Sequence, residues 1–298
     1  MIMLRAGRWR PWLFVGPALL LIAFFLVYPT VVTIIRSFFG RGAQLFGPTV
    51  HYVGFANWKY VFTNPVMLSA LRNNVLWVVV FTLFTVGFGL VLAVMLDRVR
   101  YEKILKSVIF VPAAISMVGA TIIWKFVYAF RPEGMAQIGV LNAIVVALGG
   151  KPVGWLLQRP WINNICLIIV GIWIWTGFCM VILSAAYKNI PKQLLEAARI
   201  DGANEWQVFH RVILPLLVPT VAVVGTTMIV TVLKIFDIVY VMTNGNYGTE
   251  VIANRMYKEM FNYFNYGRAS AIAVVLLILI LPFMFLNIRR FAHQEGGR

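Results

Sequence analysis

The sequence predicts an all-α polytopic membrane protein with six transmembrane helices. Three observations lead there. Only 12% of the 298 residues are charged while 61% are apolar, and the mean hydropathy is +0.85; a soluble domain is about 25% charged. Apolar runs of the roughly 20 residues needed to cross a bilayer fall at 12–35, 74–96, 107–130, 162–187, 216–241 and 269–288. Finally, positive charge is unevenly placed. Segments 1–11, 97–106, 188–215 and 289–298 hold 14 Lys/Arg in 59 residues, and segments 36–73, 131–161 and 242–268 hold 10 in 96. The denser set belongs inside by the positive-inside rule, so both termini are expected in the cytoplasm. Arg98, Arg100, Lys103 and Lys106, in one ten-residue loop, fix this orientation.

The first run follows Arg5, Arg8 and Arg10 as a signal peptide would. It is 24 residues long and lacks a small-x-small cleavage site, so a retained helix is expected. Pro17 and Pro29 in the first run, Pro112 in the third and Pro219 in the fifth should kink or start helices, which neighbouring helices in a membrane can accommodate. Between runs, GFANWKYVFTNP (54–65) should pack as short helices on the outer side, NGNYG (244–248) should turn, and Val251, Met256, Met260 and Phe264 suggest a short amphipathic helix. No internal repeat, low-complexity tract or linker divides the chain, and the longest outer loops are 38 and 31 residues. It reads as a single membrane domain over 1–298.

The net charge of +16 does not imply a nucleic-acid partner, because its distribution follows membrane topology. Phosphate-loop chemistry is excluded: GGKP at 149–152 lacks the upstream glycine, position 145 being Val, and the closing Ser/Thr. His51, His210 and His293 lie in different loops, and no metal set is expected. Cys166 and Cys179 share one helix, roughly 20 Å apart along its axis, too far for a mutual disulfide.

One segment departs from this apolar background. KNIPKQLLEAARIDGANEWQVFHRVILP (188–215) carries charges at helical spacing. Pro191 suits a first turn, and Leu194, Leu195, Ala198 and Ile200 can form an apolar side. Gly202 permits the left-handed residue that ends a helix. Asn204 can cap a second helix with Gln207 as its reciprocal partner. Trp206, Phe209, Val212 and Ile213 keep helical spacing to Leu214-Pro215, where the fifth run begins. The segment should be helix, corner, helix at the cytoplasmic surface. Ala197 and Ala198 would let a partner backbone approach closely. Glu196 has two readings on spacing alone: a contact for a basic partner group, or an i,i+3 pair with Arg199 worth a few tenths of a kcal/mol.

Within the spans, Lys125, Lys234 and Asp237 need a cavity or a partner. Lys234 and Asp237, at i,i+3, can pair as a structural ion pair. Alternatively Thr227, Thr231 and Lys234 form a polar stripe that walls a substrate path. Lys125 can snorkel to the interface. Trp173, Trp175 and Phe178, in GIWIWTGF (171–178), could stack on sugar rings or pack with neighbours.

Glu196-Ala197-Ala198, Gly202, Val212 and Leu214-Pro215 form a spaced pattern that resembles the signature of permease subunits of bacterial ABC importers. The resemblance extends along most of the chain. RPWLFVGPALL, VGFANWKYVF, ALRNNVLWVV and KIFDIVYVMTNG look like the sugar-permease branch, similar to the maltose transporter's membrane subunits. RPEGMAQIGVLNA (131–143) and 232–257 look most like α-glucoside permeases. NGNYG departs from the glycine-glycine-proline turn of many relatives.

The resemblance implies a type I importer permease in a bacterial or archaeal cytoplasmic membrane, itself not an enzyme. It would move a di- or oligosaccharide such as maltose, trehalose or sucrose. It implies as partners a second permease, a dimer of ATP-hydrolysing subunits that hold the ATP and Mg, and an extracytoplasmic sugar-binding protein; this chain would bind no cofactor. It also makes 191–214 a coupling segment, with Leu195, Glu196, Ala197, Ala198, Asp201 and Gly202 at the ATPase. The positions comparable to the maltose permease's sugar-holding residues include Ile172, Phe178, Met228 and Val232. They are apolar, so that site does not carry over. Rival readings are an importer of another solute (a polyol, glycerol phosphate or amino acid) and an ion-coupled carrier using Asp237 and Lys234.

Overall fold

The computed structural model describes residues 10–42, 51–97, 99–158 and 161–295. Arg5, Arg8 and Arg98, invoked for the first helix and for orientation, lie outside them. The described helices in chain order are α1 (Trp12–Arg36), α2 (Ala56–Thr63), α3 (Pro65–Leu96), α4 (Glu102–Ala114), α5 (Met117–Val127), α6 (Val140–Ala147), α7 (Ile162–Lys188), α8 (Lys192–Ile200), α9 (Glu205–Leu233), α10 (Asp237–Met242), α11 (Ile252–Tyr257) and α12 (Tyr266–Glu295). Among the described residues the β structure is one isolated bridge, Phe39 to Tyr52. Among the described residues five helices are long and apolar enough to cross a membrane, and the bent pair α4 and α5 brings the number to six where the two are counted as one broken span.

Three expected spans differ from the outcome; the second begins at Pro65, nine residues before its expected start at 74. The third is not one rod over 107–130: α4 and α5 meet at 99°. Pro112 weakens the end of α4 by removing an amide donor, and Ile115 and Ser116 then adopt ψ of 143° and 134°. The fifth does not run from 216 to 241. Its helix starts at Glu205, continues through Leu214-Pro215 and stops at Leu233. A π-helical turn at Phe209–Ile213 precedes Pro215 and absorbs the proline without breaking the rod. No Gly or Pro marks the stop at Leu233. Its freed carbonyl instead accepts a hydrogen bond from Asn74 Nδ2 at 3.2 Å, the kind of substitution that lets membrane helices end inside protein.

Two compact units are formed, Met1–Asn64 with Met256–Val275, and Pro65–Arg255 with Leu276–Arg298. In the first, GFANWKYVFTNP forms α2 as expected. Buried Asn57 donates to the carbonyls of Ser37 (2.9 Å) and Phe39 (2.7 Å), and Tyr60 donates to the carboxylate of buried Glu259 at 2.8 Å. Arg268 covers the Tyr60 ring at 4.2 Å. Of the expected amphipathic face at 251–264, Val251 is buried, Met256 and Met260 are half-buried, and Phe264 is exposed.

In the second unit, α7 is the central element. It packs along α3, with α4 and α9 also against it. Trp77, Phe81, Leu167, Met180, Leu183, Leu217 and Met228 fill the core. A Cβ at Gly89 would lie 2.7 Å from Cys179 Cβ and 3.0 Å from the Met180 amide nitrogen, so only glycine lets α3 approach α7 this closely, as small residues do in membrane bundles. Cys166 and Cys179 are free and buried in α7.

Candidate functional site

The corner between α8 and α9 is fixed three times over. Gly202 has φ +85°. The Gly202 amide donates to Arg199 O (3.1 Å) and the Ala203 amide to Ala198 O (3.0 Å), the paired bonds of a Schellman motif. Beyond it, the Gln207 amide donates to Asn204 Oδ1 and the Asn204 amide donates in return to Gln207 Oε1, each 2.9 Å, completing the expected capping box. Across the turn, Arg199 Nε donates to Glu205 Oε1 at 2.8 Å. The Glu205 carboxylate holds the Arg199 guanidinium above its ordinary pKa.

Of the two readings of Glu196, the ion pair with Arg199 does not form. Arg199 pairs forward with Glu205, and Glu196 is exposed with no ion pair among the described residues. Pro191 caps α8 rather than occupying its first turn. The expected apolar side of α8 is narrower than its residue types suggest. Leu195 is buried and Ala198 half-buried, whereas Leu194 is exposed and Ile200 is 85% exposed. Trp206, at the start of α9, is 71% exposed. Ala197, Asp201 and Gly202 also face outward. The corner therefore presents carboxylates, small residues and bare apolar side chains together.

Beside it lies a pocket of about 580 Å³, lined by Asp97, Glu102, Tyr187, Lys188, Ile190, Lys192, Leu195, Glu196 and Arg199. Charge pairs close one wall. Glu102 accepts from Lys106 (2.6 Å) and Lys188 (2.5 Å), Lys188 reaches Asp97 at 3.7 Å, and Lys106 also donates to Ser184 Oγ. Lys106 thus pairs within the chain, besides its expected role in orientation.

The intramembrane residues divide. Lys234 ends α9 and is exposed; Asp237 begins α10, where its charge suits the helix N-terminus. The helix break between them removes the i,i+3 geometry, and they form no ion pair among the described residues. Lys125 donates to Val241 O at 3.3 Å, at the end of α10. Thr227 and Thr231 do share a surface, a notch of about 270 Å³ lined also by Val230, Met284, Asn287 and Ile288. Lys234 does not line it. Trp173 packs edge-on against Trp124 at 5.7 Å, and Trp175 against Phe178 at 5.7 Å, so these aromatics contribute to the bundle wall.

A family model described as "Binding-protein-dependent transport system inner membrane component" matches residues 85–290, which include the corner, the pocket and the notch. The chain belongs to this family. The permease is 57% identical over 286 residues to an osmoprotective compounds uptake permease protein of Synechocystis sp., covering 96% of this chain and 100% of that one. It is 47% identical over 293 residues to an alpha-glucoside transport system permease protein of Rhizobium meliloti, covering 98% and 85%. Among solved structures, it matches a chain of a bacterial ABC transporter that imports the acidic polysaccharide alginate, with TM-score 0.78, 25% identity, and 94% and 96% of the two chains covered. Permeases of this family are membrane components and not enzymes.

The permease also holds polar residues that the sequence reading passed over. Asn73 Nδ2 donates to Gly248 O and Glu250 O (both 2.8 Å), Asn163 Nδ2 donates to Tyr247 O (2.8 Å), and the Ile252 amide donates to Asn74 Oδ1 (2.8 Å). Asn73 and Asn163 clasp the NGNYG turn, where Asn244, Gly245, Tyr247 and Gly248 all have positive φ, and Asn74 holds the start of α11 beside it. The signal was present as two Asn-Asn pairs, RNNVL and INNIC, each in an apolar helix.

Proposed function

We propose that this permease imports an α-glucoside of two or more sugar units, driven by ATP hydrolysis on partner subunits. The observation that carries the reading is identity over nearly the whole chain with an alpha-glucoside permease, at 47%, and an osmoprotective compounds permease, at 57%. Trehalose and sucrose satisfy both descriptions, being α-glucosides, and sucrose also acts as an osmolyte. The complete importer comprises a second permease, two ATPase subunits that hold ATP and Mg, and an extracytoplasmic sugar-binding protein. The chain ends and the 188–215 segment lie on the cytoplasmic side.

The 191–214 corner is the coupling element in this reading. Leu195 anchors α8 to the bundle, while Glu196, Ala197 and Ile200 face outward to an ATPase cleft, and Asp201 and Gly202 shape the exit. Closure of the ATPases on ATP would pull the corner, and the Schellman motif, capping box and Arg199–Glu205 pair would pass that movement to α9 as a rigid bend. ATP acts by binding one state of the importer more tightly than the other.

Reconstitution of the four-component importer tests the function: ATP-dependent uptake of trehalose, sucrose and maltose, with no uptake of amino acids, is expected. Uptake that persists without ATPase subunits and collapses with an uncoupler would instead establish an ion-coupled carrier. For the coupling role, Glu196→Lys should abolish sugar-stimulated ATP hydrolysis while leaving sugar-binding-protein affinity for sugar intact. Normal stimulation in this variant would remove Glu196 from the ATPase contact.

A further inference from the structure

We propose that Asn287, together with Thr227 and Thr231, forms a polar subsite that hydrogen-bonds a hydroxyl of the sugar as it crosses the membrane. The inference rests on the sugar-import reading and assigns it a place.

The three residues line the 270 Å³ notch between α9 and α12. Thr227 and Thr231 fall inside the fifth span and Asn287 near the end of the sixth, and the two helices are tied where Thr226 Oγ1 donates to Asn287 Oδ1 at 2.6 Å. On α9, the neighbouring Met228 and Val232 are fully buried in the bundle. The Thr227/Thr231 pair, four residues apart and so on one stripe, opens to the notch instead.

Hydrogen-bond accounting then defines what the notch can hold. Thr227 Oγ1 donates to Val223 O and Thr231 Oγ1 donates to Thr227 O, each at 2.9 Å. Both protons are spent, and each oxygen keeps acceptor capacity. One half of the Asn287 amide is engaged by Thr226, and the other half has no partner among the described residues. Asn287 is half-buried, so this free end is open to the notch. The complement of two hydroxyl acceptors and a free amide end is a group that can donate and accept at once, which a sugar hydroxyl does. Met284 and Val230 supply apolar surface for the C–H face of the ring. At 270 Å³ the notch is just under the roughly 300 Å³ at which small-molecule pockets begin, so it suits one ring rather than a whole disaccharide. No side chain in the notch is charged, which fits a neutral substrate and not a phosphate ester.

The test uses the assembled importer in vesicles. Thr231→Cys should react with a charged, membrane-impermeant thiol reagent in the nucleotide-free or the ATP-bound state. Trehalose or sucrose delivered by the binding protein should slow that reaction threefold or more. The native Cys166 and Cys179 are buried and set the background, measured on the parent importer. Independently, Thr231→Val and Asn287→Leu should change the ratio of trehalose to maltose uptake by about two- to tenfold, the worth of one neutral hydrogen bond. A purely structural role would lower both sugars alike. No labelling in either state, labelling without protection, or an unchanged uptake ratio in Thr231→Val would each overturn the subsite. The wider reading fails differently, by the unsubstituted importer taking up no sugar at all.

Discussion

Replacing Gly202 by alanine isolates the conformational requirement of the corner. A Cβ built at Gly202 meets nothing within 4 Å, so the substitution introduces no clash. What remains is the backbone: φ is +85°, and an alanine held in the left-handed region costs about 1–2 kcal/mol. The two Schellman bonds, from the Gly202 and Ala203 amides, exist only in that conformation. Their opening equilibrium should therefore rise by about five- to thirtyfold, since 1.4 kcal/mol is a factor of ten. Amide hydrogen exchange on the importer in nanodiscs reads this directly, as exchange accelerated by that factor at positions 202 and 203 and unchanged along α7. Gly202→Asn should show much less acceleration, because asparagine tolerates this conformation better than alanine. Equal exchange in parent and Gly202→Ala, or equal acceleration by Asn and Ala, would refute the strain account. If the corner transmits the ATPase stroke, sugar transported per ATP should fall in the same order, Ala below Asn.

Three further perturbations address other parts of the structure. Gly89→Ala pushes a Cβ to 2.7 Å from Cys179 Cβ and should cost about 1–3 kcal/mol as overpacking; the control Gly87→Ala, with nothing within 4 Å, should be neutral or stabilising, and equal unfolding midpoints in detergent would contradict the close-approach argument. Asn74→Ala strands Leu233 O and the Ile252 amide at about 1–3 kcal/mol for each group left unpaired, so its thermal midpoint should fall further than that of a surface substitution such as Lys151→Ala. Glu205→Gln breaks an exposed ion pair whose partners are 41% and 52% accessible and should change stability by less than about 1 kcal/mol, with the difference shrinking in high salt; a larger, salt-independent loss would show that the pair does more than brace the turn.

Length and hydropathy made most of the fold readable. The fourth span was expected at 162–187 and the helix runs Ile162–Lys188. Local chemistry made the corner readable too, because Gly202, Asn204 and Gln207 each act over four residues or fewer. Breaks decided by distant partners were not. Lys234–Phe236 interrupts α9 without Gly or Pro, and what stabilises the break is Asn74, 159 positions away. The ion-pair cluster around Glu102 was hidden for the same reason: Lys188 is remote in sequence, and the charges looked like topology signals. Arg199 was offered one carboxylate at i−3 and took another six residues ahead, since the Schellman turn folds Glu205 back toward it. Asn287 carries no local signal, being one polar residue near the end of an apolar run; its meaning depends on the threonines opposite.

The asparagine clasp and the Glu102 cluster also have a joint mechanical consequence. Asn73 to Asp97 along α3 is 24 positions, and Asn163 to Lys188 along α7 is 25, about 36 and 38 Å of helix. Both rods are gripped at one end by the NGNYG turn and pinned at the other by the same cluster of carboxylates and lysines. Two stiff struts of nearly matched length, joined at top and bottom, make a parallelogram linkage. In such a linkage a tilt imposed at the ion-pair cluster is expected to reach the turn through the two helices moving together, without a chain of small side-chain rearrangements.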